Sequence, residues 1–402
     1  MATQPTAPAT GQPGTAGAPA QGAKGQAPAT VPFRCGTQNT TNLDGYSQTF
    51  ALSSTTAPAI PNYNPSVNSY LRGCWITASA ITSGNSATVA FLPDAPYSLF
   101  AQISFLDTQQ RPVVQVSGLQ LAMIRKFGGY FLQGDPALDG TYVATTGSGG
   151  TGGSFNFTLW VPLEINNRTG MGAALNKNSA QTYTLSFTLA LSTAIYSTAP
   201  TTLPSCTVTV LEDGWWQPAA TDVSGAPLAQ GPSAPNTWSY WLQGTFQNLN
   251  GATQVQLPTG LGESIRQIQF YSYDVSTGLR VAGDTDFPTT VELLYKGTIL
   301  KNIPKSLWKT LMSMNYGYTV ANAGTTTTTD TPGSVNNGVY VLWQFMQDFG
   351  LRPGDGQNYS LLNTDQGDQF QFLGTFNGAA NMYELVNYIA TVGSPAVLRT
   401  SR

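Results

Sequence analysis

The acidic residues that could most clearly take part in catalysis lie beside a pair of tryptophans. Glu212 and Asp213 come at the predicted end of a strand, just before Trp215 and Trp216. Cleavage of a glycosidic bond requires two facing carboxylates, and indole rings can stack on a sugar. The same residues can instead form a turn whose tryptophans anchor the following linker, and we favour this interpretation because tryptophan packs more often than it binds. The carboxylates that could form such a pair are Glu164, Glu212, Asp213, Glu292 and Glu384.

Three further patterns point to ligands or modification but are incomplete. Asp284, Asp286 and Glu292 could bind calcium, yet they lack the spacing of a 12-residue calcium loop. The glycine-rich stretch 147–153 has no lysine and precedes a strand, whereas a phosphate-binding loop precedes a helix. We therefore predict a surface loop there. A glycosylation sequon at 167–169 carries little weight because no secretion signal accompanies it.

Histidine is absent from the chain, which removes Ser-His-Asp triads, Cys-His dyads and histidine-ligated metals. The three cysteines, Cys35, Cys74 and Cys206, form no C-x-x-C pair and predict neither a zinc site nor a disulfide framework. Cys74 and Cys206 lie in strand-like runs and are predicted to be small buried hydrophobic residues. This cysteine usage fits a reducing cytoplasm. We predict no enzyme, no cofactor, and no catalytic or metal-binding residue.

Only 9% of the residues are charged, and the net charge is −3. About a quarter is typical, and the missing charge is replaced by residues that favour turns and strand faces. Without a basic stripe, direct nucleic-acid binding is not expected. Phe155, Phe157, Tyr183 and Phe187 alternate along strands without interleaved Lys or Arg, so we predict that they belong to the core. Such a surface suits either an unassociated soluble protein or one that packs against its own copies.

The beginning and the middle of the chain differ from the rest in composition. Residues 1–32 are almost all Ala, Gly, Pro, Gln and Thr, and predict a flexible arm, either passive or ordered by a neighbour. No signal peptide and no run of about 20 apolar residues is present. Residues 218–235 are rich in proline and predict a linker. The predicted domains are therefore 33–217 and 236–402.

Each half predicts the same order of elements. Strands come first, then a short helix, a low-complexity loop, a strong tryptophan-containing strand and further strands. The helices are predicted at 118–127 and 304–315, and the strong strands begin at 154 and 338, so the halves are offset by 186 and 184 residues. Further strands are predicted at 70–78, 87–91, 98–106, 182–193, 206–211, 238–246, 255–257, 265–273, 291–295, 369–376 and 382–392.

This repetition predicts two tandem β-sandwiches, each an eight-stranded jelly roll with a short helix in a long connection. We expect the low-complexity loops at 145–153 and 324–336 to lie at the same end of the molecule. Within the strand at 265–273, alternation places Ile265, Gln267, Gln269, Tyr271 and Tyr273 on one face.

One segment resembles the major capsid protein of tectiviruses. Phe157-Thr-Leu-Trp-Val-Pro-Leu163 leads into Asn166-Asn-Arg-Thr-Gly-Met-Gly-Ala-Ala-Leu175, a loop with a Thr-Gly-Ala-like stretch, and then into the alternating strand at 182–187. Residues 71–106 are similar to the family in the order and length of their strands. Glu384-Leu-Val-Asn387 and Gly338-Val-Tyr340 resemble family segments in the second half. The resemblance covers about 65–200 well and the second half in outline.

The resemblance implies a double jelly-roll subunit that forms pseudo-hexagonal homotrimers, which tile an icosahedral shell around an internal membrane and double-stranded DNA. It implies a virion protein made in the host cytoplasm, with itself, neighbouring trimers, penton proteins and minor capsid or membrane proteins as partners. It carries over no catalytic site. Residues 1–32 depart from the family because they have no apolar helical face for a membrane, so any membrane contact would be indirect.

Two other classes remain as alternatives. A viral spike or receptor-binding β-sandwich protein would also be rich in strands, low in charge and trimeric. A carbohydrate-active β-sandwich enzyme would use a carboxylate pair. The paired helices at matching offsets favour the capsid class, and the absence of histidine and of a clear carboxylate motif weighs against the enzyme.

Overall fold

The structure is a computed structural model. It describes the residues 33, 37–42, 45–67, 69–82, 88–128, 141–143, 152–165, 169–216, 221, 231–232, 237–257, 259, 263–316, 339–344, 362–364 and 367–391. The arm at 1–32, most of the linker and of the first low-complexity loop, and the whole of the second loop lie outside these residues. The predictions made for them, including the shared position of the two loops, therefore stay predictions.

The first half is built almost entirely from β-strands. The helix α1 (Gly118–Phe127) lies between the sixth and seventh strands that the structure describes. The strands are β1 (Asn39–Asn42), β2 (Ser47–Ala51), β3 (Ser69–Ile81), β4 (Ala90–Phe91), β5 (Phe100–Leu106), β6 (Pro112–Val116), β7 (Thr141–Tyr142), β8 (Phe155–Pro162), β9 (Ala174–Asn176), β10 (Thr184–Leu189), β11 (Tyr196–Thr198) and β12 (Ser205–Trp216).

In the residues that the structure describes, the second half has fewer and longer strands. Its helices are α2 (Arg280–Asp286) and α3 (Lys305–Tyr316). The strands are β13 (Thr237–Gln256), β14 (Glu263–Asp274), β15 (Thr290–Tyr295), β16 (Thr298–Pro304), β17 (Val339–Gln344), β18 (Leu362–Thr364) and β19 (Phe370–Thr391).

Strand pairing repeats between the halves. In the first half β12 lies between the initial strands β1 and β2 and strand β3, which also pairs with β8. In the second half β19 lies between β13 and β14, and β14 also pairs with β17. The short strands β9 and β18 add to the starts of β3 and β14, and α1 and α3 follow the hairpins β5–β6 and β15–β16. The topology therefore confirms two similar sandwiches.

The repeat extends to a single bulged residue. In β3, Arg72 is the extra residue between Leu71 and Gly73, whose partners on β12 are adjacent. In β14, Arg266 is the extra residue between Ile265 and Gln267, whose partners on β19 are also adjacent. A bulge reverses the side-chain alternation that follows it. Ile265 consequently lies on the face opposite Gln267, and the predicted alternation was wrong at that residue.

The helices agree with the predicted bounds within one residue. Helices α1 and α3 begin at residues 118 and 305, an offset of 187, and β8 and β17 begin at 155 and 339, an offset of 184. Ser117 caps α1: its hydroxyl accepts from the Gln120 amide at 3.2 Å, and its own amide donates to the Gln120 side chain at 2.9 Å. This reciprocal pair fixes where the helix begins.

Several strand predictions were wrong in extent. The segments 238–246 and 255–257 belong to the single strand β13, and 369–376 and 382–392 belong to β19. The two parts of β19 are equivalent to the strands β10 and β12 of the first half. Residues 190–204 separate β10 from β12, whereas the two parts of β19 follow each other directly. Hydrogen bonding therefore continues along β19. Sequence patterning also missed β16, which follows β15 through a tight turn at Lys296 and Gly297, both with positive φ.

The two halves share a sheet and a core. Strand β6 pairs in parallel with β13, with Val114 opposite Trp241 and Gln115 opposite Leu242. Residues of both halves form one hydrophobic cluster. Phe155, Phe157 and Tyr183 are buried in it and Phe187 packs against it, as predicted. In the described part of the chain, no helix has the length and apolar character needed to cross a membrane.

Gly118 gives a test of this packing. A Cβ at Gly118 would overlap the carbonyl oxygen of Tyr97 and lie 3.2 Å from Phe100. We expect Gly118→Ala to lower the free energy of unfolding by about 1–3 kcal/mol, the usual cost of overpacking. Denaturant unfolding followed by tryptophan fluorescence measures it. Gly231→Ala is the matched control, because no described residue other than its chain neighbours has an atom within 4 Å of that Cβ position. Equal stability of the two variants would contradict the packing described.

Candidate functional site

The structure brings two of the candidate carboxylates together around Arg72. The Arg72 Nε donates to Glu164 at 2.7 Å, and Nη1 lies 3.2 Å from Asp213. The Trp215 indole donates to the other oxygen of Glu164, and the guanidinium lies 4.3 Å from the centre of the Trp215 ring. Both carboxylates and the indole are buried. The cluster is thus a carboxylate pair held by one bulged arginine.

The prediction that Glu212 and Asp213 end a strand was wrong. Strand β12 continues to Trp216, because its last residues pair with the start of β3 and with β1. Neighbouring residues of a strand point to opposite faces. Glu212 accordingly accepts a hydrogen bond from the Tyr63 hydroxyl at 2.5 Å and another from the Ser66 amide.

The tryptophans beside these carboxylates divide into a buried one and an exposed one. Trp215 packs edge-on against Phe33, which also contacts Tyr70 in the same way. Trp216 is 53% exposed. An arginine shared between buried carboxylates, under a packed indole, has the contacts of a structural ion pair. Trp215 therefore packs, but within a strand and against Phe33, so the predicted turn was wrong. Anchoring of the linker stays a prediction.

The other candidate residues are dispersed through the second half. Glu292 accepts from Asn302 at 3.2 Å, and Glu384 is buried against Gly244. Asp284 accepts from the Tyr340 hydroxyl and lies 3.8 Å from Lys305. Nowhere in the described ranges do three His, Cys, Asp or Glu side chains form a group that could hold a metal ion. Of the glycine-rich stretch and the sequon, only residues 152–153 and 169 are described.

A second polar assembly joins the two halves of the molecule. Along one face of β14, the Tyr271 hydroxyl donates to Gln269 at 2.6 Å, and Gln269 donates to Gln267 at 2.7 Å. Gln267 donates in turn to the carbonyl of Phe127, the last residue of α1, at 2.8 Å. All three β14 side chains are fully buried. We call this face, made of Gln267, Gln269, Tyr271 and Tyr273, the β14 ladder.

The ladder ends at an ion pair between the halves. Tyr273 donates to one oxygen of Asp94 at 2.7 Å, and the Arg280 Nε donates to the other at 2.8 Å. The Arg280 side chain is fully buried. Burial raises the pKa of Tyr273 and Tyr271 above the ordinary value, and nearby Asp94 raises both further. Both phenols therefore remain protonated donors.

Sequence alternation placed all four residues of this ladder on one face but did not show what they do. Glutamine and tyrosine on one strand face are typical of a solvent-facing surface. The structure instead buries them against α1 and residue 94. Nothing local in the sequence marks that contact, because its two sides are more than a hundred residues apart.

The Arg72 cluster predicts that removing the arginine charge destabilises the fold. We expect Arg72→Met to lower the free energy of unfolding by up to about 3 kcal/mol, because two carboxylates would stay buried without their cation. Denaturant unfolding at neutral pH and low salt measures it. Lys296→Met is the control, because its ion pair with Asp368 is half-exposed and should matter little. A similar small effect of both changes would show that the cluster does not stabilise the fold.

The cysteine environments predict thiol reactivity. Cys74 and Cys206 are free and fully buried, as predicted. Burial raises the pKa of Cys206 to about 12, and it raises that of Cys74 further, with Glu212 and Asp213 adding to the shift. The reactive form is the thiolate. In a Cys35→Ser variant at pH 8, we expect no labelling by an aromatic disulfide reagent until denaturant is added, and then two thiols. Rapid native labelling would contradict the burial.

Comparison with known proteins identifies the architecture. No family model matches the sequence. A search of curated proteins finds no match either. Among solved structures, the crystal structure of the STIV MCP aligns with a TM-score of 0.54 at 15% identity, covering 90% of this chain and 100% of its own. A structure of Sulfolobus turreted icosahedral virus gives a TM-score of 0.54 at 15% identity, over 88% of this chain and 91% of that chain.

A quasi-atomic model of the PBCV-1 virus capsid gives a TM-score of 0.56 at 11% identity, over 88% of this chain and 94% of that chain. At such identities the likeness concerns the fold. It extends over 88–90% of this chain and so includes both halves. The predicted fold class is confirmed: this chain has the double jelly-roll fold of viral major capsid proteins.

Proposed function

We propose that this chain is the major capsid protein of a virus and acts as a structural protein of the virion. The observation that carries the proposal is the extent of the likeness: the STIV MCP is covered over its whole length, so both sandwiches correspond and not one alone. The low charge of the chain fits a surface that packs against its own copies.

The finer proposal is a homotrimer with six sandwiches and a pseudo-hexagonal outline. Such trimers would tile an icosahedral shell around an internal membrane and double-stranded DNA, and would meet penton and minor capsid or membrane proteins. Kinship with the tectivirus proteins, synthesis in the host cytoplasm and the domain limits 33–217 and 236–402 belong to the same proposal. It includes no cofactor, no catalytic or metal-binding residue and no direct contact with nucleic acid.

The joint between the halves supports a role as a building block. A closed shell requires subunits that present the same surfaces repeatedly in a fixed relation. Here the two sandwiches are fixed to each other by shared strand pairing, by the β14 ladder and by the Asp94–Arg280 ion pair.

Electron microscopy of the purified full-length chain tests this function. We expect flat particles with a pseudo-hexagonal outline, or closed shells, and light scattering that gives three times the mass of one chain. Slender fibres would favour the spike alternative, and a chain that stays monomeric at high concentration would contradict the capsid function. Hydrolysis of a polysaccharide that is lost on Glu164→Gln, with the fold intact, would favour the enzyme.

A further inference from the structure

The two equivalent helices have different surroundings. Helix α1 is buried: the exposed fractions of Gln120 and Met123 are 3% and 0%. With the offset of 187 residues, the equivalent positions on α3 are Leu307 and Thr310, which are both exposed, Leu307 by 41%. A leucine with that exposure, where the other copy of the helix is covered, indicates a surface that lacks its neighbour in the single chain.

The strands that precede these helices differ in the same way. Strand β6 is covered, with Val113 and Val114 buried, and its outer edge pairs with β13. The equivalent strand β16 is at most half-buried, and Ile299 is 55% exposed. Among the described residues, β16 pairs with β15 alone. An edge strand with exposed apolar side chains is a site for pairing with another chain.

In the joint between the halves, α1 and β6 of the first half contact β13 and β14 of the second. The surface that receives α1 and β6 has an equivalent surface on the first half. On the second half it consists of β13, at Trp241 and Leu242, and of the β14 ladder. Strand β12 of the first half corresponds to β19 of the second. Asp213 and Asn387 each pair with the residue that follows a bulged arginine, and they differ by 174 residues. With the same offset, Glu212 is equivalent to Val386. On β1, Thr41 and Asn42 pair with Asp213 and Glu212, just as Trp241 and Leu242 of β13 pair with Asn387 and Val386. Thr41 and Asn42 are therefore equivalent to Trp241 and Leu242.

The bulged arginines align the receiving face in the same way. Arg72 and Arg266 differ by 194 residues, so Gln269, Tyr271 and Tyr273 of the ladder match Trp75, Thr77 and Ser79 of β3. Whereas the ladder is buried or nearly so, these β3 residues are only half-buried. Among the described residues, the first half thus has a receiving face that no segment of the chain covers as α1 covers the ladder.

We propose that α3 and β16 of one subunit dock on β1 and the outer face of β3 of a second copy, and so repeat between chains the joint that connects the halves. The inference rests on the proposed function and names the contact of its trimer. A contact between two different surfaces closes a ring when its rotation is right. Three chains of two sandwiches then make six joints of one kind, three within chains and three between them.

The joint supplies the geometry of the new contact. Gln115 lies opposite Leu242 in the parallel pairing of β6 with β13. The equivalent pair is Asn302 of one subunit and Asn42 of the next. The contact also covers Leu307 and Ile299, which removes apolar surface from water, and hydrophobic burial then stabilises the trimer.

Cross-linking tests the register directly. In a Cys35→Ser background, oxidation of the double variant Asn302→Cys with Asn42→Cys should link whole chains into dimers and closed trimers on a denaturing gel. The matched control, Gln115→Cys with Leu242→Cys, should form its disulfide within one chain and leave the mass unchanged. Asn302→Cys alone should give no covalent trimer. Trimers in solution whose chains fail to link, while the control pair links, would overturn the proposal and leave the capsid function standing.

A charge on the helix gives the second test. Leu307→Asp should weaken the trimer at least about tenfold in a dilution series followed by light scattering, because a buried interface cannot hydrate the carboxylate. Val275→Asp is the control, since Val275 is 39% exposed and lies in the turn after β14, outside both surfaces of the proposed contact. Circular dichroism checks that both variants keep the fold. An unchanged trimer in Leu307→Asp would overturn the docking surface, whereas a native chain that forms no oligomer would overturn the proposed function as well.

Discussion

The chain of hydrogen bonds from Tyr271 through Gln269 to Gln267, which ends across the joint on Phe127, constrains the whole arrangement. A buried amide or phenol without a partner costs more free energy than its hydrogen bond contributes, so each group of the ladder must be satisfied in place. The chain of donors ends on the Phe127 carbonyl at one end of the face, and Tyr273 and Arg280 meet Asp94 at the other. The position of α1 against β14 is thereby defined, and with it the relation of the two sandwiches.

Polar contacts at this joint provide specificity that apolar packing alone would not. Apolar faces tolerate small shifts, whereas buried donors and acceptors accept one geometry. The parallel pairing of β6 with β13 fixes the same register from the backbone. The side-chain hydrogen bonds of the ladder and the backbone hydrogen bonds between β6 and β13 therefore fix the same relative position of the two sandwiches. The Arg72 cluster has a more local role, because it joins β3, β12 and the segment that follows β8 within the first sandwich.

The sequence predicted those features that depend on local pattern. Helix α1 was found with its bounds because its apolar residues repeat at helical spacing and glycines follow it. Strand β16 was missed because its lysine, asparagine and proline break the alternation of a strand. The β14 residues were recognised as one face, but their burial depends on a partner far away in the chain. The bulge at Arg266 could not be predicted, since only the pairing with β19 shows the extra residue.

The pairing of β6 with β13 has a consequence for curvature. Because backbone hydrogen bonds cross from one sandwich to the other, the angle between the two halves of a chain cannot vary without breaking them. Any closed surface made from such chains must bend somewhere. The bending would then fall outside these joints, and each chain would behave as a rigid tile with a fixed internal angle.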